Sequence, residues 1–257
     1  MSFFDWIIKL GGEYWLQFLS GTKNTLIMAL TGTIAGFIIG LLIAVVRTIP
    51  VSEKDGGFKK VAMKCVNFVL SAYVETIRGT PMLVQALIIH YSIFVPMKIP
   101  SLLSAIIIIS FNTGAYMAEI VRGGIMSIDK GQFEGALSVG MSHWQTMYHV
   151  ILPQAIKNIM PSIGNEFVVN IKDSSVLSVI AITELMFVSK QAGGAYAKFV
   201  PAYVICAVIY FILTFTVTRI LRFVEKKLQG SDSYTVCGSQ SDSKAEIHVK
   251  NDKGVRI

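Results

Sequence analysis

Residues 26–46 form an apolar segment without a single charged side chain. A helix rises about 1.5 Å per residue, so a helix over this segment is long enough to cross a hydrocarbon core of roughly 30 Å. Further apolar segments follow, and 53% of the 257 residues are hydrophobic while only 15% are charged. Soluble domains do not have this balance. The sequence therefore predicts an all-α integral membrane protein.

The apolar pattern divides the chain into five spans and two flanking regions. Residues 1–20 mix aromatic and aliphatic groups, which is typical of an interfacial helix. The spans are predicted near residues 26–46, 61–94 with a bend at Gly79, 101–121, 152–171 with a shorter helical piece continuing to 188, and 200–224. We assign residues 21–227 to one membrane domain. Residues 228–257 are polar and serine-rich, and we predict a disordered tail.

The basic residues are unevenly divided between the two sides of these spans. Seventeen of the 23 lysines and arginines fall on the side that carries the tail and the loops after the first and third spans. Basic residues collect in cytoplasmic loops. The sequence therefore predicts a multi-pass protein of the cell membrane, with its amino terminus outside and its tail in the cytoplasm.

Other classes of function find little support in the residues. The formal charge of +7 comes from basic residues scattered between apolar segments, which argues against nucleic acid as a partner. The three cysteines lie far apart, and the four histidines do not cluster with acidic residues or cysteines. No phosphate loop of the form G-x-x-x-x-G-K-[ST] occurs. We predict that the chain binds no metal and no cofactor and is not an enzyme.

Small residues recur every four positions in the first span, at Gly32, Gly36, Gly40 and Ala44. Residues with this spacing share one face of a helix. Such a face permits close approach of another helix, although glycine is also frequent in spans that only face lipid. We predict a close helix contact along this face.

The loop between the third and fourth spans, residues 127–153, is amphipathic and predicts one helix over residues 131–150. Its marked positions are Glu134, Gly135, Ala136, Gly140, Leu152 and Pro153. This spacing resembles the EAA loop of ABC importer permeases, although that family more often has alanine at position 135 and isoleucine at position 150. By amphipathicity alone, an ordinary interfacial helix is the alternative.

Three further stretches resemble the polar amino-acid branch of that family. They are Arg78–Pro81, the segment at 115–125 with the sequence AYMAEIVRGGI, and the segment from Leu152 to the Lys-Asp-Ser-Ser sequence at 172–175. The resemblance covers most of the chain from Asn24 to Lys227. It implies the fold of a type I importer permease, in which five spans carry a cytoplasmic coupling helix that docks on an ATPase.

The resemblance also implies a function and a set of partners. We expect the permease subunit of an ATP-driven importer of polar L-amino acids. Two ATPase chains would use ATP and Mg, and this chain would bind neither. A second copy or a homologous permease, and an extracytoplasmic amino-acid-binding protein, would complete the system. The alternative is a secondary amino-acid transporter or a channel subunit that works without ATP. Against it, five spans without a visible inverted repeat would form only a small half-unit of such a transporter.

The candidate substrate contacts are polar residues on two spans: Asn112, Tyr116, Glu119, Asn165, Lys172, Asp173, Ser174 and Ser175. Asn112, Tyr116 and Glu119 share one face of the third span. Glu119 could bind an ammonium group, and a helix restarting near Ser174 could present free N–H groups to a carboxylate. Two alternatives stay open. Glu119 could pair with Arg122, and the residues at 172 and 173 could be a solvated pair in an outer loop.

Overall fold

The computed structural model describes residues 1–49 and 56–229, and over those residues it consists of helices without strands. The first half contains α1 (Phe3–Glu13), α2 (Trp15–Arg47), α3 (Gly57–Gly79), α4 (Met82–Ile89) and α5 (Ser101–Met126). The second half contains α6 (Lys130–Ser138), α7 (His143–Thr146), α8 (Leu152–Asp173), α9 (Leu185–Ala195) and α10 (Phe199–Gln229). Two π turns, His90–Phe94 and Met147–Ile151, and a 3₁₀ turn, Ser174–Ile180, extend these helices. The tail predicted from residue 228 lies outside the described residues from position 230 onward.

Three helices in this part of the chain are long and apolar enough to cross a membrane: α2, α5 and α10 up to Lys227. A shorter apolar helix covers Met82–Phe94, and α8 has 22 residues with Pro161 inside it. The all-helical membrane class is confirmed. The number of five spans stays a prediction.

The amino-terminal region differs from the expected boundaries. The helix α1 ends at Glu13, and α2 begins at Trp15 instead of near residue 26. Gly21 does not interrupt α2 because it packs directly on the chain at Glu184, where an added Cβ atom would lie 3.1 Å from the carbonyl carbon. The interfacial helix is therefore shorter than the predicted residues 1–20.

The centre of the bundle is the contact between α2 and α5. A Cβ atom on Gly32 would lie 2.6 Å from Ile109 Cγ2, and one on Gly36 would lie 2.7 Å from Thr113 Cβ. At Gly40 the added atom would lie 2.5 Å from Met117 Cβ. Real Cβ atoms do not approach this closely, so only glycine fits at these positions. The predicted close contact along this face is confirmed.

The predicted single helix over residues 131–150 is wrong. Gly140 has a φ of 84°, a left-handed conformation in which it ends α6. Its N–H donates to Leu137 O (3.0 Å), and Met141 N–H donates to Ala136 O (3.1 Å). These two bonds form a Schellman motif, which satisfies the last carbonyl groups of a helix. The amphipathic pattern did not show this stop. Glycine also occurs inside α6, at Gly135, so a glycine at position 140 did not by itself indicate the end of the helix.

The second helix of the loop, α7, leads without interruption into α8. Ser142 caps α7, and its hydroxyl accepts from Gln145 N–H while the Gln145 side chain accepts from Ser142 N–H. The π turn Met147–Ile151 then joins α7 to α8 through a bond from Leu152 N–H to Met147 O. Pro153 has no N–H to donate to the preceding turn. One helical path therefore runs from His143 to Asp173.

This path is held to α2 and α5 by an apolar cluster at the loop end of the bundle. The buried members of the cluster are Ala44, Val121, Ile125, Ile128, Met147, Ile151, Ala155 and Ile159. They come from the ends of α2 and α5, from the connection between α5 and α6, from the π turn and from α8. The loop is therefore packed tightly against three helices at once.

Candidate functional site

The residue Asn112 stabilises a helix break. It is buried, and its Nδ2 atom donates to Gln85 Oε1 (3.0 Å). The Gln85 Nε2 atom in turn donates to Ile77 O (2.8 Å) and to Thr80 Oγ1 (2.8 Å). These acceptors lie where α3 ends and α4 begins. Asn112 therefore has a structural partner, and it holds the bend that was predicted at Gly79.

The residue Tyr116 is the most open of the three predicted contacts on α5. Its side chain is exposed, and the Arg78 guanidinium carbon lies 5.5 Å from the centre of its ring. This distance is within the range of cation–π attraction. Tyr116 and Arg78 therefore bring an aromatic face and a positive charge to one surface.

The residue Glu119 is occupied by two arginines. Arg47 Nη1 donates to its Oε1 atom (2.7 Å), and Arg122 Nη2 donates to its Oε2 atom (2.8 Å). The alternative of pairing with Arg122 thus describes the structure, and Arg47 adds a second ion pair from the end of α2. Each carboxylate oxygen already has a cationic donor. Glu119 therefore belongs to the α2–α5 contact, in which both of its oxygens are paired with arginines.

The helix α8 brings a third set of polar groups to the bundle. Asn165 is exposed and lines a groove of about 400 Å³ between α2, α8 and α10, together with Thr33, Met160, Pro161, Leu221 and Arg222. Lys172 is exposed, and Asp173 is half-buried. Glu166 is half-buried within electrostatic range of both Asp173 and Arg78. Sequence reasoning missed Glu166, although a carboxylate inside an apolar helix was a signal for it.

The helix start predicted at Ser174 and Ser175 is wrong. The backbone passes from α8 directly into the 3₁₀ turn, and the buried Ser174 hydroxyl donates to Ile171 O (2.8 Å). The break comes later, at Ala181, whose φ is 56°. The next helix start, at α9, is capped by Glu184. A serine pair is typical of a helix start, but here the hydroxyl bonds back to the preceding turn.

Two buried polar residues were missed by the sequence reasoning. Asn170 connects three helices, because its Oδ1 atom accepts from Thr113 Oγ1 (2.9 Å) and its Nδ2 atom donates to Thr33 Oγ1 (2.8 Å). Glu184 is fully buried and bonds to α9 and α10. Single polar residues in apolar segments were the available signal for both.

The loop that contains α6 and α7 exposes both polar and large apolar side chains. Glu134 and Gly135 are exposed on α6, whereas Ala136 is buried beneath them. Large apolar side chains are exposed around Gly140: Leu137, Val139, Trp144 and Tyr148. Leu152 and Pro153 begin α8 at the base of this surface. Exposed apolar groups of this kind mark a contact with another protein or with the membrane surface.

The histidine at the start of α7 has a buried ring nitrogen. Burial lowers the pKa of His143, which favours its neutral form. Its Nε2 atom is buried and has no hydrogen-bond partner among the described residues.

No group of three or more possible metal-ligating side chains occurs within residues 1–49 and 56–229.

Comparison with known proteins agrees with this architecture. A family model described as "Binding-protein-dependent transport system inner membrane component" matches residues 60–230. The glutamine transport system permease protein of Escherichia coli is 34% identical over 214 residues, which cover 82% of this chain and 92% of that protein. The arginine transport system permease protein of Bacillus subtilis is 32% identical over 216 residues, which cover 83% of this chain and 93% of that protein.

Solved structures show the same fold. A crystal structure of an amino acid ABC transporter with histidines aligns with a TM-score of 0.74 and 34% identity, and the match covers 88% of this chain and 99% of that chain. The MetNI methionine ABC transporter in an inward-facing conformation aligns with a TM-score of 0.66 over 82% of this chain and 98% of that chain. Its identity of 20% supports the fold alone.

A helical membrane domain that matches this family model and these relatives is the membrane subunit of a transport system. The protein belongs to the family of binding-protein-dependent transport system inner membrane components. The family resemblance predicted from the sequence is confirmed.

Proposed function

We propose that this chain is the permease subunit of an ATP-driven importer of polar L-amino acids. The observation that carries this proposal is the unbroken helical path from His143 to Asp173. The path connects the exposed loop surface to charged groups inside the bundle. The relatives that support it transport glutamine, arginine and, in a protein of Bacillus subtilis that is 35% identical over 199 residues, L-cystine.

The partners follow from the two ends of this path. Two ATPase chains bind ATP and Mg and dock on the loop surface of two permease chains, which are copies of this chain or homologues. Closed pairing is the usual symmetry for such subunits. An extracytoplasmic binding protein delivers the amino acid at the opposite end. In this arrangement the amino terminus is outside, and the end of α10 is in the cytoplasm.

The substrate contacts that we propose lie between α3, α5 and α8. A zwitterionic amino acid needs a cation for its carboxylate and an anion for its ammonium group. Arg78 supplies the cation beside Tyr116, and Glu166 supplies the anion within electrostatic range of Arg78. Lys172 and Asp173 are further contacts at the end of α8, and Asn165 is a contact in the groove between α2, α8 and α10. Asn112 and Glu119 support the site through their bonds to neighbouring helices, and Ser174 supports it through its bond to the end of α8.

Uptake by the reconstituted complex tests both the function and the contacts. Proteoliposomes that contain this chain, its ATPase and its binding protein are assayed with a panel of radiolabelled amino acids. We expect uptake of polar amino acids that requires ATP. Glu166→Gln should weaken uptake by roughly tenfold or more, because a charge-assisted hydrogen bond contributes about 1.5–3 kcal/mol.

The matched control is Glu13→Gln, which neutralises an exposed carboxylate on α1. It should transport like the unmodified protein. Unchanged affinity and rate in Glu166→Gln would remove this residue from the site. Uptake that continues without ATP would instead favour a secondary transporter or a channel.

A further inference from the structure

A buried carboxylate at the end of the bundle opposite the loop surface has no role in the transport path described so far. Glu184 lies between the 3₁₀ turn and α9, and its side chain is 0% exposed. Burial of an ionisable group in a membrane domain is costly, and such groups are concentrated at functional positions. The hydrogen bonds of Glu184 show which helices it holds in place.

The carboxylate of Glu184 connects α9 to α10. Its Oε1 atom accepts from Phe187 N–H (2.6 Å), and its Oε2 atom accepts from Met186 N–H (2.8 Å). These two bonds cap α9, which is a local task. Oε2 also accepts from the Tyr210 hydroxyl (2.9 Å), which lies on α10. This third bond is not needed for a cap.

The unwound segment that precedes Glu184 is fixed on its other side by α2. Asn24 Nδ2 donates to Thr183 O (2.7 Å), and Gly21 packs against the Glu184 backbone. The segment begins at Ala181 in a left-handed conformation. Residues 181–184 are therefore held between α2 and α10. They follow the 3₁₀ turn, which continues from the charged end of α8.

The same region is closed by a second polar contact. Lys190 Nζ on α9 donates to Ser178 Oγ in the 3₁₀ turn (2.9 Å). The 3₁₀ turn, the unwound segment and α9 thus form one unit. Apolar packing that includes Val188 on α9 and Cys206 on α10 joins this unit to α10, and the bond from Tyr210 to Glu184 adds a polar link. Loss of the bond to Tyr210 removes none of the proposed substrate contacts.

We propose that Glu184 is a positioning residue for amino-acid passage, acting through Tyr210. The pair holds the unwound segment 181–184 in one place, so that the end of α8 with Lys172 and Asp173 meets the substrate in one geometry. This inference rests on the proposed function. The competing account is that Glu184 only caps α9.

Two variants separate these accounts. Glu184→Asp keeps a residue that caps helices well, but its side chain is one methylene shorter and does not reach the Tyr210 hydroxyl. Tyr210→Phe removes the hydroxyl and leaves the cap intact. Glu13→Gln is the matched control, because the Tyr196 hydroxyl contacts Glu13 at 2.8 Å in an exposed pair at the surface.

The measurement is the number of amino acids imported per ATP hydrolysed by purified complexes in proteoliposomes, together with KM. We expect both variants to lower this ratio by about tenfold, the loss that corresponds to a hydrogen bond to a charged group. The control should match the unmodified protein. Unmodified ratios and KM in Tyr210→Phe would overturn the proposal, even if Glu184→Asp failed to fold. An unmodified complex that imports nothing with ATP would overturn the proposed function itself.

Discussion

Glycine serves different purposes in the α2–α5 contact and in the α6–α7 loop. In the contact, Gly32, Gly36 and Gly40 leave no room for a Cβ atom beside α5. In the loop, a Cβ atom added to Gly140 would meet nothing within 4 Å, but the residue has a φ of 84°. The first region requires residues without a Cβ atom, whereas the second requires a backbone conformation that residues other than glycine rarely adopt.

The side chains around the two regions also differ. The α2–α5 contact ends in the Arg47–Glu119–Arg122 ion pairs, which tie the two helices together. The loop instead exposes large apolar side chains such as Trp144 and Tyr148. The α2–α5 contact is therefore closely packed, whereas the loop leaves large apolar side chains uncovered.

The largest effect is expected from bulk in the α2–α5 contact. Gly40→Leu forces α2 away from Met117 and from the backbone of Ala118, and overpacking of this kind costs about 3 kcal/mol. We expect little folded protein, measured as the monodisperse fraction after detergent extraction. Gly123→Leu is the control, since an added Cβ there meets nothing within 4 Å. A normal yield for Gly40→Leu would show that the two helices are not closely packed.

A smaller effect on folding, but a strong one on coupling, is expected from bulk in the loop. Gly140→Trp costs about 1–2 kcal/mol of backbone strain and places a ring on the partner surface. The permease should still insert, but it should either lose the ATPase or lose substrate-stimulated ATP hydrolysis. Gly140→Ala adds the strain without the ring and should keep most of both. Normal association and stimulation in the tryptophan variant would mean that the loop is a passive interfacial helix.

A moderate effect is expected from the ion pairs at the end of the α2–α5 contact. Glu119→Gln leaves Arg47 and Arg122 without their anion, and part-exposed pairs of this kind contribute about 1 kcal/mol. Thermal stability of the complex should fall slightly, while KM for the amino acid should not change. A raised KM with unchanged stability would return Glu119 to the substrate site.

The smallest effect is expected from Gly135→Ala on α6. An added Cβ there meets nothing within 4 Å, and alanine favours a helix by up to about 1 kcal/mol. Stability should therefore be equal or slightly higher, and coupling should be unchanged. Lost coupling in this variant would place a partner directly against position 135.

The sequence predicted the elements that depend on hydrophobic length and spacing. The apolar segments, the close face with Gly32, Gly36 and Gly40, and the bend at Gly79 follow from local patterns that the packing preserves. The stop at Gly140 was missed because the need for a left-handed residue is a property of the backbone and not of the amphipathic pattern.

The candidate site was less predictable because its members meet through tertiary contacts. Helical spacing placed Asn112, Tyr116 and Glu119 on one face, but different neighbours give them different roles. Asn112 donates a hydrogen bond to Gln85, and the ring of Tyr116 faces Arg78. Glu119 is paired with two arginines. No spacing within one helix could show which residues of other helices would approach.

The most direct test of the account is uptake driven by ATP alone. Proteoliposomes with the complete complex and no ion gradient receive a radiolabelled polar amino acid and the binding protein outside. Inside they hold Mg with either ATP or a non-hydrolysable analogue. We predict accumulation with ATP and none with the analogue. Equal uptake with both, or accumulation only when an ion gradient is imposed, would contradict an ATP-driven importer.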